Sequence, residues 1–318
     1  MEKCEYLSRK IRMIESMAKN TRTALSSESL PMRILNRLGM ERLAWSLRRL
    51  HCPVSSDALV LEVGSGGNPY PRANVLLDAY EDTVERNESK LVKDRPLAIG
   101  YVERMPFKSQ SFDFIIASHV LEHSPDPVNF LGELMRVGKS GYIETPDGFF
   151  ERLNPFTYHR LEVTDIDGKL RIFNKPSWRH DSEVVTGYER KMKDAAFLGF
   201  LSKHPGPFYT RFYWRNSIPY WIVNPGVDVS WPLPERSYSK IGSPQEQVGF
   251  KMRRVLGSLI RNVLSQNSRN RSIDLVSLLR CPSCLSEADL LHHDDGLQCE
   301  QCAVVYPVNS GVPVMYPR

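Results

Sequence analysis

The chain has 318 residues, 41% of them hydrophobic and 25% charged, with a formal net charge of +5. That length accommodates one sizeable domain plus a small appendage, and the composition is that of an ordinary soluble protein. The modest positive charge permits an acidic partner such as RNA or a phosphorylated metabolite without pointing to one. No stretch approaches the roughly 18 consecutive apolar residues of a membrane-spanning helix, and the charged start has no signal-peptide core.

Residues 1–55 are predicted as a helical N-terminal cap. Leu30, Ile34, Leu38, Leu47 and Leu50 fall near helical spacing, with Arg33, Arg37, Arg42, Arg48 and Arg49 between them. The simple expectation is an amphipathic helix with a solvated basic face; a lid over a ligand site or an RNA-facing surface is the sharper one.

From Ala58 the pattern changes to alternating strands and helices. Ala58–Val63, Val75–Asp78, Phe112–Ala117 and Gly141–Glu144 are short apolar runs of the kind that form buried parallel strands. Ser124-Pro-Asp-Pro127 opens a predicted helix with Val128, Leu131, Leu134 and Met135 on one side. The expected architecture is α/β: a doubly wound, Rossmann-like, mostly parallel sheet with an antiparallel edge, over residues 56–235. Within it, residues 149–235 are rich in aromatics, among them Tyr209, Phe212, Trp214, Trp221 and Trp231. Antiparallel strands and long loops are expected there, on the substrate side. Residues 236–272 follow as linker and basic helix, carrying Lys251, Arg253, Arg254 and Arg261, and residues 273–318 as a small C-terminal unit.

Leu61-Glu-Val-Gly-Ser-Gly-Gly-Asn-Pro69 carries the sharpest chemistry. Glycines directly after a buried strand allow a tight turn and let a ligand lie against the backbone. Asp78, ending the next strand, can accept hydrogen bonds from both hydroxyls of a ribose. The dinucleotide pattern G-x-G-x-x-G fails because its last glycine falls on Pro69, and the phosphate-binding G-x-x-x-x-G-K-[ST] pattern is absent.

Gly100-Tyr-Val-Glu-Arg-Met-Pro-Phe107, Ser111-Phe-Asp113, Leu121-Glu-His123 and Glu144-Thr-Pro146 complete the set. Together with Glu62–Gly67 they resemble the small-molecule type of class I S-adenosylmethionine (SAM)-dependent methyltransferase over roughly residues 55–150. The resemblance implies SAM as cofactor. It places Gly64, Ser65, Gly66 and Gly67 along the methionine part, with Glu62 meeting the amino group directly or through water. Asp78 would hold the ribose; Tyr101, Val102 and Glu103 would edge the adenine; Ser118 and His119 would lie beneath the sulfonium. The family's aspartate before A-E is Tyr101 here, which would stack or hydrogen-bond instead. Pro69 and Pro71 in the short stretch before Asp78 imply that the usual helix there is truncated or replaced. His123 and His119 are the candidate general bases, where an acceptor must lose a proton, with His159 and His180 next.

Cys281-Pro-Ser-Cys284 and Cys299-Glu-Gln-Cys302 form two C-x-x-C units. Four thiolates suit a tetrahedral structural zinc with no open position, and the spacing suits a reducing, cytoplasmic setting better than a disulfide framework. The flanking sequence, with Tyr306-Pro-Val-Asn-Ser-Gly-Val-Pro313, resembles the zinc-ribbon activator family of methyltransferases. A fused copy implies that no separate activator chain is required, and Val312–Met315 is a strand suited to pack on the catalytic sheet.

Besides a non-catalytic scaffold that has kept the fold, against which the intact glycine turn and Asp78 argue, two functional expectations follow. One is methyl transfer to oxygen or nitrogen of a small molecule such as a sugar, lipid-linked glycan or secondary metabolite, with Arg160, Lys175 and Arg179 available for an acidic group. The other is methyl transfer to RNA or protein. Against it, the N-P-P-[YF] motif is missing: the position is Ser118-His-Val-Leu121.

Overall fold

A computed structural model describes residues 27–81, 83, 90–232, 261 and 263–318. The N-terminal stretch 1–26, the linker at 236–245 and the basic residues Lys251, Arg253 and Arg254 lie outside the described residues.

The centre is a six-stranded sheet of order β3-β2-β1-β4-β5-β8. Strands β1 (Val60–Val63), β2 (Val75–Asp78), β3 (Leu97–Ile99), β4 (Phe114–Ser118) and β5 (Ser140–Pro146) run parallel. Strand β8 (Tyr209–Arg215) closes the edge antiparallel to β5. The α/β class and the antiparallel edge are therefore as expected. The parallel strands are buried along almost their whole length, which is why they are continuous apolar runs, whereas β8 alternates. The three-residue strand β3 is too short to stand out in the sequence.

Two helical segments precede the sheet, α1 (Leu30–Arg37) and α2 (Glu41–Leu47). Their orientation corrects the expected apolar face. Leu30, Ile34, Leu38 and Leu50 are exposed, and Met32 and Ala44 are the residues buried instead. The break at Gly39, in the left-handed region with φ +71°, rotates the second helix out of the pattern a single helix would follow. Between β1 and β2 no helix forms among the described residues. Asn74 there accepts from Val60 N–H at 3.0 Å and donates to Asn270 at 2.8 Å, while Arg72 donates to Ala58 O at 2.7 Å.

The helix expected after Ser124 is α3 (Pro127–Val137), capped by Asp126, which accepts from Asn129 N–H at 3.0 Å. Its buried face is Phe130, Leu131, Leu134 and Val137, and Val128 is exposed, a second correction. In the aromatic region, α4 (Gly148–Leu153), α5 (Ser182–Met192) and α6 (Ala195–Lys203) are helices where strands and loops were expected. Strand β6 (Leu161–Ile166) pairs antiparallel with β7 (Lys169–Asn174), and β9 (Tyr220–Ile222) adds parallel to β7.

The C-terminal unit is a four-stranded sheet of β10 (Leu290–His293), β11 (Gly296–Cys299), β12 (Val305–Asn309) and β13 (Val312–Pro313). It does not stand apart. Val314 bridges to Ile99 in parallel, Met315 N–H donates to Ile99 O at 2.7 Å, and Phe107 bridges to Leu279. Leu279, Leu297, Tyr306 and Met315 belong to the same buried cluster as Met105, Phe107 and Phe112. Arg280 reaches Glu133 of α3 at 3.2 Å.

Candidate active site

The parallel strands end on one side, where the first turn and the segments after β3 and β4 surround a cavity of about 600 Å³. In an open α/β sheet this is where ligands bind, because the loops diverge from the strand ends. Gly64, Gly66, Asp78, Tyr101, Val102, Glu103, His119 and His123 all line it, joined by Tyr80, Tyr158 and Arg160. Glu62, Ser65, Gly67 and Ser118 stand back from its wall.

The turn is built by two glycines in the left-handed region, Gly64 (φ +63°) and Gly66 (φ +56°). A Cβ at Gly64 would collide with Val120 Cγ2, so this glycine is required by packing as well as by conformation. Asp78 braces the turn: Oδ2 accepts from Gly66 N–H at 2.8 Å and Oδ1 from Tyr80 N–H at 3.2 Å. Its carboxylate is thereby held at the cavity wall. Ser65 Oγ is buried with no hydrogen-bond partner among the described residues. Glu62, 4% exposed, accepts from Tyr70 N–H at 2.7 Å, and burial pushes its carboxyl up to about 7. Ser118 receives a long bond of 3.4 Å from Tyr70 Oη.

Tyr101 and its neighbours cluster through aromatic contacts that sequence spacing does not announce. Tyr101 meets Tyr80 edge-on at 6.2 Å and Tyr316, from the C-terminal tail, at 5.0 Å. Tyr316 Oη donates to Ala79 O at 2.6 Å, next to Asp78. Val102 and Glu103 form a short 3-10 turn, and Glu103 accepts from Ser124 Oγ.

His119 directly follows β4, in the left-handed region at φ +57°. Its Nε2 lies 3.2 Å from Glu144 Oε1 and its Nδ1 lies 3.4 Å from Glu122 Oε1. Burial opposes its charge, but the two carboxylates prevail and raise it to about 9. Both ring nitrogens face a carboxylate, an arrangement that favours the charged ring over a free base. His123 is the opposite case: burial lowers it to about 4, so its ring is neutral and weakly basic. It stacks on Tyr158 at 5.3 Å.

Glu144, fully buried near the end of β5, belongs to the Glu144-Thr-Pro146 motif of the sequence but was given no role there. Arg48 grips it with two bonds, at 2.9 and 3.1 Å, and Tyr142 Oη donates to it as well. Burial would raise this carboxyl, yet the hydrogen bonds from His119 and Arg48 hold it well below the usual carboxylate range. The N-terminal cap is thus anchored beside the cavity.

Arg160 lines the cavity, stacks on Trp231 at 4.8 Å and donates to Trp231 O at 2.8 Å. Lys175 is spent in a buried pair with Glu151 at 2.9 Å, and Arg179 and His180 are exposed away from the wall. Of the three cations considered for an acidic group, only Arg160 is at the cavity.

The four cysteines come together with their sulfurs within 4.8 Å of one another; Cys281–Cys302 and Cys284–Cys299 are each 3.6 Å apart. Four thiolates about 2.3 Å from one tetrahedral ion would sit roughly 3.8 Å apart, so the cluster fits zinc. Tyr306 Oη lies 3.0 Å from Cys281 Sγ and donates to Ser283 at 2.7 Å.

Comparison with known proteins places a methyltransferase domain here. Residues 61–143 match the family model described as a methyltransferase domain, so the chain carries the domain of a methyltransferase enzyme. No curated protein matches. Among solved structures, one chain of the complex between the Haloferax volcanii Trm112 methyltransferase activator and a methyltransferase is 15% identical, with 41% of this chain and 76% of that chain covered and a TM-score of 0.28. A SAM-dependent methyltransferase from Mesorhizobium loti is 10% identical over 55% of this chain and 97% of that one, with a TM-score of 0.33. One from Aquifex aeolicus is 17% identical over 42% and 73%, with a TM-score of 0.24. Likenesses this distant carry no argument about substrate or partner. Among the described residues, no helix is long and apolar enough to cross a membrane.

Proposed function

We propose, from the methyltransferase domain at residues 61–143, that the protein moves a methyl group from SAM to oxygen or nitrogen of a small acceptor. The observation that carries this reading is one continuous cavity of about 600 Å³, running from Asp78 and the glycine turn to Tyr158 and Arg160. That volume is typical of small-molecule sites, and Tyr80, Tyr101, Phe130 and Tyr158 are among its lining, which suits a compact acceptor better than a nucleic-acid strand.

SAM, when bound, supplies a methyl group on a cationic sulfur that is already a good leaving group. The chain's own work is therefore to bind and align. Asp78 accepts from the ribose hydroxyls, the backbone at Gly64 and Gly66 lies along the amino-acid part with Glu62 behind it to meet the amino group through water, and Tyr101, Val102 and Glu103 edge the base. His119, braced by Glu122 and Glu144, forms a fixed floor. His123 presents a neutral ring to the acceptor's half of the cavity, and Arg160 offers a positive charge for an acidic acceptor.

The cysteine unit is proposed to hold a structural zinc and to act as a built-in activator, so that no separate activating chain is needed. Its tail supports this through the Val314–Ile99 bridge and the Tyr316 bond to Ala79.

Calorimetric titration of the zinc-loaded chain with SAM and S-adenosylhomocysteine tests the reading. Micromolar binding is expected, weakened at least tenfold by Asp78→Asn, which keeps a side-chain acceptor for the turn but loses the charge. Unchanged affinity in that variant would remove the ribose assignment, and no binding by the folded chain would remove the cofactor itself. A salt-sensitive affinity for RNA would turn the acceptor assignment towards RNA.

A further inference from the structure

The acceptor side of the cavity adjoins a cluster of buried polar groups that alignment of a methyl donor does not require. Glu122 and His123 sit on the short 3-10 turn after β4, and His159 precedes β6. Arg160 N–H donates to Glu122 O at 2.6 Å and locks the two segments together. Glu122, His123 and His159 each present one ligand-type atom, and these lie within 4.8 Å of one another.

Glu122 is 1% exposed, and neither of its carboxylate oxygens makes a hydrogen bond among the described residues. Its nearest cation, His119, stands at 3.4 Å and is shared with Glu144. A buried carboxylate in this condition carries a large desolvation cost that a further cation would offset. His159 Nδ1 lies 2.6 Å from Glu151 Oε2, and Lys175 holds the other oxygen of Glu151 at 2.9 Å. A ring fixed by a carboxylate at one nitrogen leaves Nε2 on offer, oriented as metal-binding histidines are. His123 meets that ring edge-on at 4.7 Å and is stacked on Tyr158, so packing fixes both imidazoles.

We infer that Glu122, His123 and His159 bind one divalent transition-metal ion, separate from the cysteine site. Two imidazoles and a carboxylate suit manganese, iron, cobalt, nickel or zinc rather than calcium. Donors about 2.1 Å from one ion lie roughly 3 to 4 Å apart, so a small inward turn of the side chains completes the site. Three protein ligands leave coordination positions open. His123, with Tyr158 and Arg160, lines the cavity, so those positions are reached from its acceptor half. On the methyl-transfer reading, on which this second role rests, the ion orients an acceptor hydroxyl and acidifies it, its proton passing to water. Oxygen acceptors are then the substrate class.

The full chain, with zinc already in its cysteine site, is titrated with Mn²⁺, which thiolates hold poorly. One further ion per chain is expected by calorimetry, with affinity lowered at least tenfold in Glu122→Gln and in His159→Gln, circular dichroism confirming that each variant is folded. Co²⁺ added to the same zinc-loaded wild-type chain should give d–d absorption without a thiolate-to-cobalt band, which reads the ligand set with no variant at all. No further ion on the folded chain, an affinity unchanged in both variants, or thiolate bands from cobalt would each overturn the site. SAM affinity, measured on the same wild-type samples, reports separately on the methyl-transfer reading.

Discussion

Glu62 and Asp78 are buried carboxylates on neighbouring strands, yet their surroundings differ. Two backbone amides brace Asp78, whereas Glu62 receives one and is pushed up to about 7. Because the folded state holds this proton more tightly than an unfolded chain, Glu62 adds stability below about pH 4.5 that is lost as pH rises through about 7. The loss approaches about 3 kcal/mol at roughly 1.4 kcal/mol per unit. Glu62→Gln retains an acceptor for Tyr70 N–H without the charge. Its gain in Tm over the wild type should therefore grow between pH 5.5 and pH 8; a pH-independent difference would contradict the assignment. Gly64→Ala combines a left-handed backbone with a collision at Val120. A loss of about 2–4 kcal/mol in urea unfolding is expected, and a neutral result would mean the turn can relax. Both residues stood out in the sequence because a glycine turn after a buried strand is a local pattern. Their burial and partners did not, since Val120 lies on a different strand end.

At the scale of elements, the N-terminal cap meets the sheet through Trp45 on Tyr209 at 5.2 Å, through the bond from Arg211 to Ser27 O at 3.0 Å, and through one buried ion pair. Arg48 follows α2 and grips Glu144 at the end of β5, across 96 positions of sequence. Glu144→Gln leaves Arg48 without its anion and His119 with Glu122 alone, so a loss of about 3–5 kcal/mol is expected. Limited proteolysis should then cut before residue 56 sooner than in the wild type. Adding Arg48→Met to Glu144→Gln should recover part of the loss, because the stranded cation is gone; strict additivity in the double-mutant cycle would deny the coupling. The parallel strands were legible at this scale, since both faces are covered and the runs are uniformly apolar. The helices α5 and α6 were not: they lie in an aromatic-rich stretch whose composition favours strands, and their boundaries rest on Asp181 and Asp194 caps.

Across the whole molecule, the cysteine unit and the sheet share one buried cluster, and Tyr316 of the tail backs two cavity-lining residues, Ala79 and Tyr101. On the proposed zinc site, chelation should therefore lower Tm and weaken SAM binding together, rather than melt a separate minor transition. A chelated chain with unchanged Tm and unchanged affinity would show that the two units fold side by side without coupling. Deleting residues 270–318 would remove the strand paired at Ile99 and the contacts at Leu279 and Arg280, so loss of solubility is the expected outcome.

What the sequence alone determined is what short spacing can encode: the buried strand runs, the glycine turn with Asp78, the two C-x-x-C pairs, and from their combination the α/β class. Each is a constraint between residues close along the chain, where backbone geometry converts spacing into position. The tertiary structure decided which groups meet. It set Arg48 on Glu144, brought His159 beside Glu122 and His123, laid Tyr316 against Tyr101, and turned Leu30, Ile34 and Leu38 outward while burying Met32. These contacts form only when distant segments are packed together. The protonation of His119 and the neutrality of His123 follow from that packing, because an imidazole's charge depends on the carboxylates and solvent around it.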